Sequence, residues 1–225
     1  MTMRHLLSLV FLILGATTAQ GMDLTAIKTI TVVSNLGSHV HFRKEAPFGG
    51  DTFDLPISDW GLDQTVADEV RKDLGNRFAV KATLGGTGDP VDASDAPDIA
   101  SSIARGVRDP STDAYLVILQ LSQDNYPWAP IEGLEVFRIN GIITSATQIY
   151  GFYEVALIDA HTFKAITWQK MQRPEPGVLG HAPQNIWSDS AEDLTPEQKN
   201  ILRASMTRMV ILTLDETLRA MDLGS

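Results

Sequence analysis

The sequence predicts an α/β (α+β) domain in which a mixed, mostly antiparallel sheet is covered by helices. Three observations carry that expectation. Short β-branched apolar runs alternate with helical periodicity in the first half of the chain, as "KTITVVS" (28–34) and "LDQTVADEVRKDL" (62–74) illustrate. Two strand-turn-strand patterns follow in the second half, and strands joined by tight turns pair antiparallel. A long amphipathic stretch, "LTPEQKNILRASMTRMVILTLDETLRAMDLG" (194–224), closes the chain.

The first nineteen residues, MTMRHLLSLVFLILGATTA, are expected to leave before folding. A short basic start leads into an apolar run from Leu6 to Leu14, then small residues with Thr17 and Ala19 before the cleavage point. That is the layout of a secretory signal peptide. The run is far short of the ~20 apolar residues that cross a bilayer, so no membrane span is expected after cleavage. There is no twin arginine and no cysteine for lipid attachment. The expected location is the periplasm or the exterior, and residues 20–225 are expected to form a single domain. About 205 residues suffice to build a hydrophobic core.

Cysteine is absent, which excludes thiol catalysis, thiolate zinc sites and disulfides. The whole chain carries 18 basic residues, Arg4 among them, against 28 acidic ones. Its net charge is −10 with the leader and −11 without it. Such a balance opposes non-specific binding to nucleic acid and to anionic lipid, and no nucleic-acid partner is expected.

Along the mature chain, 28–34 reads as a buried strand bounded by Asn35 and Gly37, and "HVHFRK" (39–44) as a second strand after a tight turn. A Pro/Gly loop (46–51) and a short extended piece (53–57) precede the first helix. Leu62, Val66, Val70 and Leu74 recur every four residues there, acids crowd the first turns, and Gly75 is placed to end it. "RFAVKATL" (77–84) reads as a strand and "GGTGDPVDASDAPD" as a polar loop. A second helix is expected with Asp95 as cap and Pro97 in its first turn. "AYLVILQLS" (114–122) is the most apolar mature run and reads as the central strand.

"LEVFRINGIITSAT" holds Asn140-Gly141 between two alternating runs, a short-range hairpin signal. "QIYGFYEVALIDAHTFKAITWQKM" reads as a second hairpin, with Asp159 leading its turn. Residues 173–193 read as a long surface loop. The last helix is expected to be capped by Thr195, with Pro196 at its first position and a buried stripe through Leu202, Met206, Met209/Val210, Leu214 and Leu218.

The candidate sites are few. His39 and His41 would project from one strand face, as a metal half-site requires, and are the candidate metal ligands. A metal needs further ligands, the other mature histidines are His161 and His181, and there is no HExxH. The expected structural role of the pair is to decorate a solvated face, with Val40 and Phe42 buried opposite. "LGGTGDP" (84–90) lacks the lysine and immediate helix of a phosphate loop. No GxSxG is present. No catalytic residue, metal or cofactor is therefore assigned, and whether the chain is an enzyme stays open. Trp60, Tyr126 and Trp128 lie at element ends or in loops and are the candidate partner- or ligand-binding residues.

Four stretches carry a resemblance. "VVSNLG", "WGLDQTVADEVRKDLGNRF", "YEVALIDAHTFKAI" and "LTPEQKNILRASM" resemble the strand-turn, first helix, Asp-led hairpin and closing helix of an uncharacterised family of signal-bearing bacterial envelope proteins. That family has no assigned activity, so the resemblance implies no catalytic residue. The order of elements is more distantly similar to α/β domains of periplasmic assembly proteins. Examples are the TolB N-terminal domain and the lipoproteins that activate penicillin-binding proteins, whose lipid-attachment cysteine this chain lacks. The expected function is thus a non-enzymatic envelope protein that binds a protein or a cell-envelope component. The alternatives are a metal-dependent hydrolase using His39 and His41, or a small-ligand carrier with a pocket bounded by Trp60 or Trp128.

Overall fold

A computed structural model describes residues 24–46, 49–84, 90–123, 131–140, 145–171 and 186–224. Residues 1–19, read above as a leader, residues 85–89 of the glycine-containing stretch, Tyr126, Trp128, Gly141 and residues 172–185, His181 among them, lie outside the described residues.

The core strand is β1 (Thr29–Asn35), whose residues from Ile30 to Ser34 are all buried. It pairs in parallel with β4 (Ala79–Leu84) on one side and with β6 (Ala114–Gln123) on the other. Between β1 and β4 the chain passes through α1 (Leu62–Leu74); between β4 and β6 it passes through α2 (Ala96–Val107). The helices lie on opposite faces. Leu62, Val66, Val70 and Leu74 of α1 join one core cluster, and Ala96, Ala100 and Ala104 of α2 join the other.

β6 then pairs antiparallel with β10 (Tyr153–Asp159), and β10 with β11 (Ala165–Lys170), giving the order β11-β10-β6-β1-β4. Two-residue strands β5 (Val91–Asp92) and β7 (Ile131–Glu132) pair with the far end of β6. The closing helix α3 (Pro196–Ala220) packs on the α1 side with the expected stripe buried. Thr195 and Gln198 form a reciprocal capping box at its start.

The structure contains a second sheet where the sequence suggested one. β2 (His39–Ala46) does not pair with β1; it pairs antiparallel with β3 (Gly49–Pro56) and in parallel with β8 (Leu134–Asn140). β8 pairs antiparallel with β9 (Ser145–Gly151), completing the order β3-β2-β8-β9. The extended piece read as 53–57 is longer than expected, and part of the Pro/Gly loop belongs to β3. Asn140 faces Ser145, so four residues connect β8 and β9 rather than an Asn-Gly pair alone. Gln148–Gly151, read as part of the second hairpin, belong to the first, and the chain changes sheets at Phe152. Asp95 stands at the start of α2 as expected but makes no side-chain capping bond there.

The placement of the second sheet follows from topology. β1 lies between β4 and β6 with α1 and α2 on opposite faces, and such a switch point is where open α/β sheets commonly hold ligands. Here both hairpins leave from that place, β2–β3 after β1 and β8–β9 after β6. The junction is closely filled. Gln120 of β6, 3% exposed, donates its side-chain amide to the Leu36 carbonyl. Gly37 and Gly133 both take positive φ (73° and 46°) against it. A Cβ at Gly133 would run into Gln120 Oε1 and one at Gly37 would lie 2.8 Å from Nε2, so a side chain at either position displaces the buried amide. Asp63 in the first turn of α1 accepts from Ser34 Oγ (2.6 Å) and Leu36 N–H (3.1 Å), tying the same corner to the helix. Burial holds the Asp63 carboxyl above its ordinary range, offset by those two donors.

Candidate functional site

The alternation of β2 divides its side chains as expected. Val40 and Phe42 are fully buried, with Phe42 stacked on Phe53 at 4.5 Å between ring centroids and tilted against Trp187 at 5.7 Å. His39, His41 and Arg43 take the other face. Among the described residues, no group of three or more His, Asp or Glu is placed to hold a metal ion.

Each histidine has local partners. His39 Nδ1 lies 2.8 Å from Ser38 Oγ. His41 Nδ1 lies 2.6 Å from Asp54 Oδ1 across the β2–β3 ladder, and its Nε2 points toward Glu132 Oε2 at 3.9 Å. Next along the strand, Arg43 Nε donates to Glu135 Oε1 at 2.5 Å, Nη1 donates to Glu45 at 3.1 Å, and the guanidinium lies 4.5 Å from the Phe137 ring centroid. Glu135 is 2% exposed. Burial raises its pKa, and the Arg43 charge and hydrogen bond pull it back. On this sheet face the Arg43 guanidinium and the His41 ring are each matched to carboxylates. The sequence pointed to the histidines and missed Asp54, Glu132 and Glu135, because cross-strand neighbours depend on a register that spans up to 94 residues of chain.

His161 does not approach that face. It sits in the β10–β11 turn beside Asp113, at the amino end of β6, whereas His41 lies beyond the carboxyl ends of β1 and β6. Asp159 bonds the backbone N–H groups of His161 and Thr162 at 2.7 Å each, as its turn position predicted. Asp113 accepts from Lys28 and Thr29 N–H at 2.9 Å, which lowers its pKa.

Trp60 is the aromatic candidate that the structure places at a cavity. Its ring is mostly buried, 7% exposed, and it borders an open cleft of about 510 Å³ between the β3–α1 connection, the segment before α3 and the first turns of α3. Asp59 and Glu192 line the cleft together with Lys199, Asn200 and Arg203. Arg203 Nη2 donates to the Trp60 carbonyl at 2.9 Å, which fixes one guanidinium nitrogen at the cleft wall. The volume lies in the range of small-molecule sites, and both signs of charge converge on it.

A second cavity, of about 500 Å³, adjoins it along α3 and shares Asn200 and Arg203 as lining. It continues over Ala204, Thr207, Arg208, Ile211 and Leu212. Sequence reading identified the buried stripe of α3 but not this opposite stripe. Its signal was present in the three- and four-residue spacing from Asn200 to Leu212.

One further group stands out inside the domain. Glu154 of β10 is fully buried, and neither carboxylate oxygen has a hydrogen-bond partner among the described residues. It lies opposite Lys170 in the β10–β11 ladder and Leu119 in the β10–β6 ladder, on the α2 side of the sheet. Burial lifts its pKa to about 7, with Lys170 acting in the opposite direction.

No family model and no curated protein matches the chain. Among solved structures it is similar to the hypothetical protein CT253 from Chlamydia trachomatis, at 11% identity and a TM-score of 0.32. That match covers 87% of this chain and 96% of the other.

Proposed function

We propose that this is an exported, non-enzymatic cell-envelope protein, periplasmic or secreted, that binds a protein or a cell-envelope component through the cleft at Trp60 and the adjoining face of α3. The leader sequence and the resemblance to signal-bearing envelope proteins support export. The observation that carries the binding reading is the convergence of Trp60, Lys199 and Arg203 on one open cleft, continuous with a helix face on which Ala204 and Arg208 are exposed. No described helix is long and apolar enough to cross a membrane.

The test has two arms. Fractionation of cells producing the full chain should place the processed protein outside the cytoplasm. Immobilised mature protein should then retain a specific partner from envelope extracts, and Lys199→Glu should reduce that retention. Cytoplasmic, unprocessed protein sinks the export reading; reproducible retention of nothing sinks the binding reading.

A small-ligand carrier is the second reading, favoured by the size of the Trp60 cleft and its mixed charge. Such a lining suits a zwitterion better than a simple anion, since Asp59 and Glu192 oppose Lys199 and Arg203. Titration of envelope metabolites with intrinsic fluorescence as readout separates the two, because a carrier shows saturable change with a small molecule alone. The metal-dependent hydrolase using His39 and His41 gains no described third ligand.

A further inference from the structure

The exposed face of α3 has a chemistry of its own, distinct from the Trp60 end of the groove. From Arg203 to Leu212 its lining is Arg203, Ala204, Thr207, Arg208, Ile211 and Leu212, with no acidic residue among them. Ala204 and Arg208 are exposed and Ile211 and Leu212 are half-buried, so an apolar floor is flanked by cations. Neither Arg203 nor Arg208 has an ion pair among the described residues, and the hydrogen bond of Arg203 goes to the Trp60 carbonyl. Two guanidinium groups without a described ion pair stand on one face of a chain of net charge −10, where acids are abundant enough to pair most cations.

The spacing repeats every three and four residues, which is the pattern one helix offers to another. The stretch from Asn200 to Leu212 spans about 18 Å at 1.5 Å per residue. A second copy of α3 laid on this face would bring arginine against arginine, so self-pairing is disfavoured by charge. Docking of an amphipathic helix on such a face instead matches apolar anchors to its apolar residues and opposite charge to its arginines.

We propose that this face of α3 docks an acidic amphipathic helix of a partner protein, about four turns long, with aliphatic residues over Ala204, Ile211 and Leu212 and carboxylates against Arg203 and Arg208. The inference rests on the binding reading above and names the partner's chemistry.

The experiment uses the mature chain and a fluorescein-labelled 16-residue probe built of Leu, Ala and Glu, with Leu at helical spacing on one side. The same peptide with Lys for Glu is the control. Anisotropy should show saturable binding of the acidic probe, weakened by added salt, and none of the basic one. Arg208→Glu should weaken the acidic probe roughly tenfold or more. Arg208 makes no described bond that the fold needs; Arg203→Glu is the second variant, checked for folding by its circular dichroism.

Equal binding of both peptides, no binding of either, or indifference to Arg208→Glu overturns the proposal. Loss of the acidic probe's advantage to anionic phosphatidylglycerol vesicles, with Arg208 dependence moving to the vesicles, overturns it in favour of a membrane surface. Concentration-dependent dimerisation abolished by Arg208→Glu overturns it in favour of self-association. If the probe fails while wild-type and Arg208→Glu proteins retain the same envelope partner, only this inference falls. If nothing is retained either, the binding reading falls with it.

Discussion

The side-chain amide of Gln120 bonds the carbonyl of Leu36, joining β6 to the chain just past β1 at the carboxyl end of that strand pair. Both residues are buried, and Gly37 and Gly133, both at positive φ, lie so close to the amide that a Cβ at either would displace it. The bond thus closes the switch point of the larger sheet and anchors the two hairpins that build the smaller one. Gln120→Leu leaves the Leu36 carbonyl without that partner, a loss of about 1–3 kcal/mol. Urea unfolding should show a lower midpoint with unchanged slope. Gly133→Ala should be at least as damaging, because the new Cβ meets Gln120 in a backbone conformation with φ of 46°.

Glu154 makes stability depend on pH in a defined direction. Its carboxyl titrates near 7 in the folded protein, against an ordinary value of 4.5. Between those values the folded state holds a proton that the unfolded state has released, so this group lowers stability as pH rises from about 4.5 to about 7, and adds no further slope above. Lys170, across the ladder, is the charge that opposes the shift. Glu154→Gln should match the wild type near pH 4.5 and be more stable near pH 8, by about 1–3 kcal/mol, in paired denaturation curves. A variant no more stable at pH 8 would show that the carboxylate finds a partner on ionising.

Arg43 shields the buried carboxylate of Glu135 on the outer face of the second sheet. Removing one member of a buried pair costs more than removing both, since the survivor keeps its desolvation penalty. Arg43→Met should therefore destabilise by about 3 kcal/mol at pH 8, and less at pH 5, where Glu135 can take up a proton. Arg43→Met with Glu135→Gln should recover most of the loss. Thermal or urea unfolding of the four proteins closes the cycle. An additive double variant would mean that the pair is not coupled.

The larger sheet and its helices were legible because their signals are local. The apolar run at Ala114–Leu119 reads as a central strand, the four-residue repeat from Leu62 to Leu74 reads as a helix, and Thr195-Pro196 marks the start of α3. The second sheet was not legible as separate. Its central pairing joins His41 to Glu135, 94 residues apart, and nothing local distinguishes a strand that leaves its predecessor's sheet from one that folds back on it. The site divided in the same way. Trp60 was found by residue type at an element end, while Lys199 and Arg203 reach its cleft only through the packing of α3. Glu154 was visible as an acid in an otherwise apolar internal strand, and only its depth of burial gave that meaning.

The binding surface assigned to α3 is tested most directly by site-specific photo-crosslinking in the cells that produce the protein. A photoreactive amino acid at Ala204, on the exposed face of α3, should give a discrete adduct with one envelope component under ultraviolet light. The same group at Ala82, exposed on the edge strand β4, should not. A defined Ala204 adduct that disappears with Lys199→Glu and Arg208→Glu is the predicted result. No adduct at Ala204, or the same adduct from Ala82, would contradict the account.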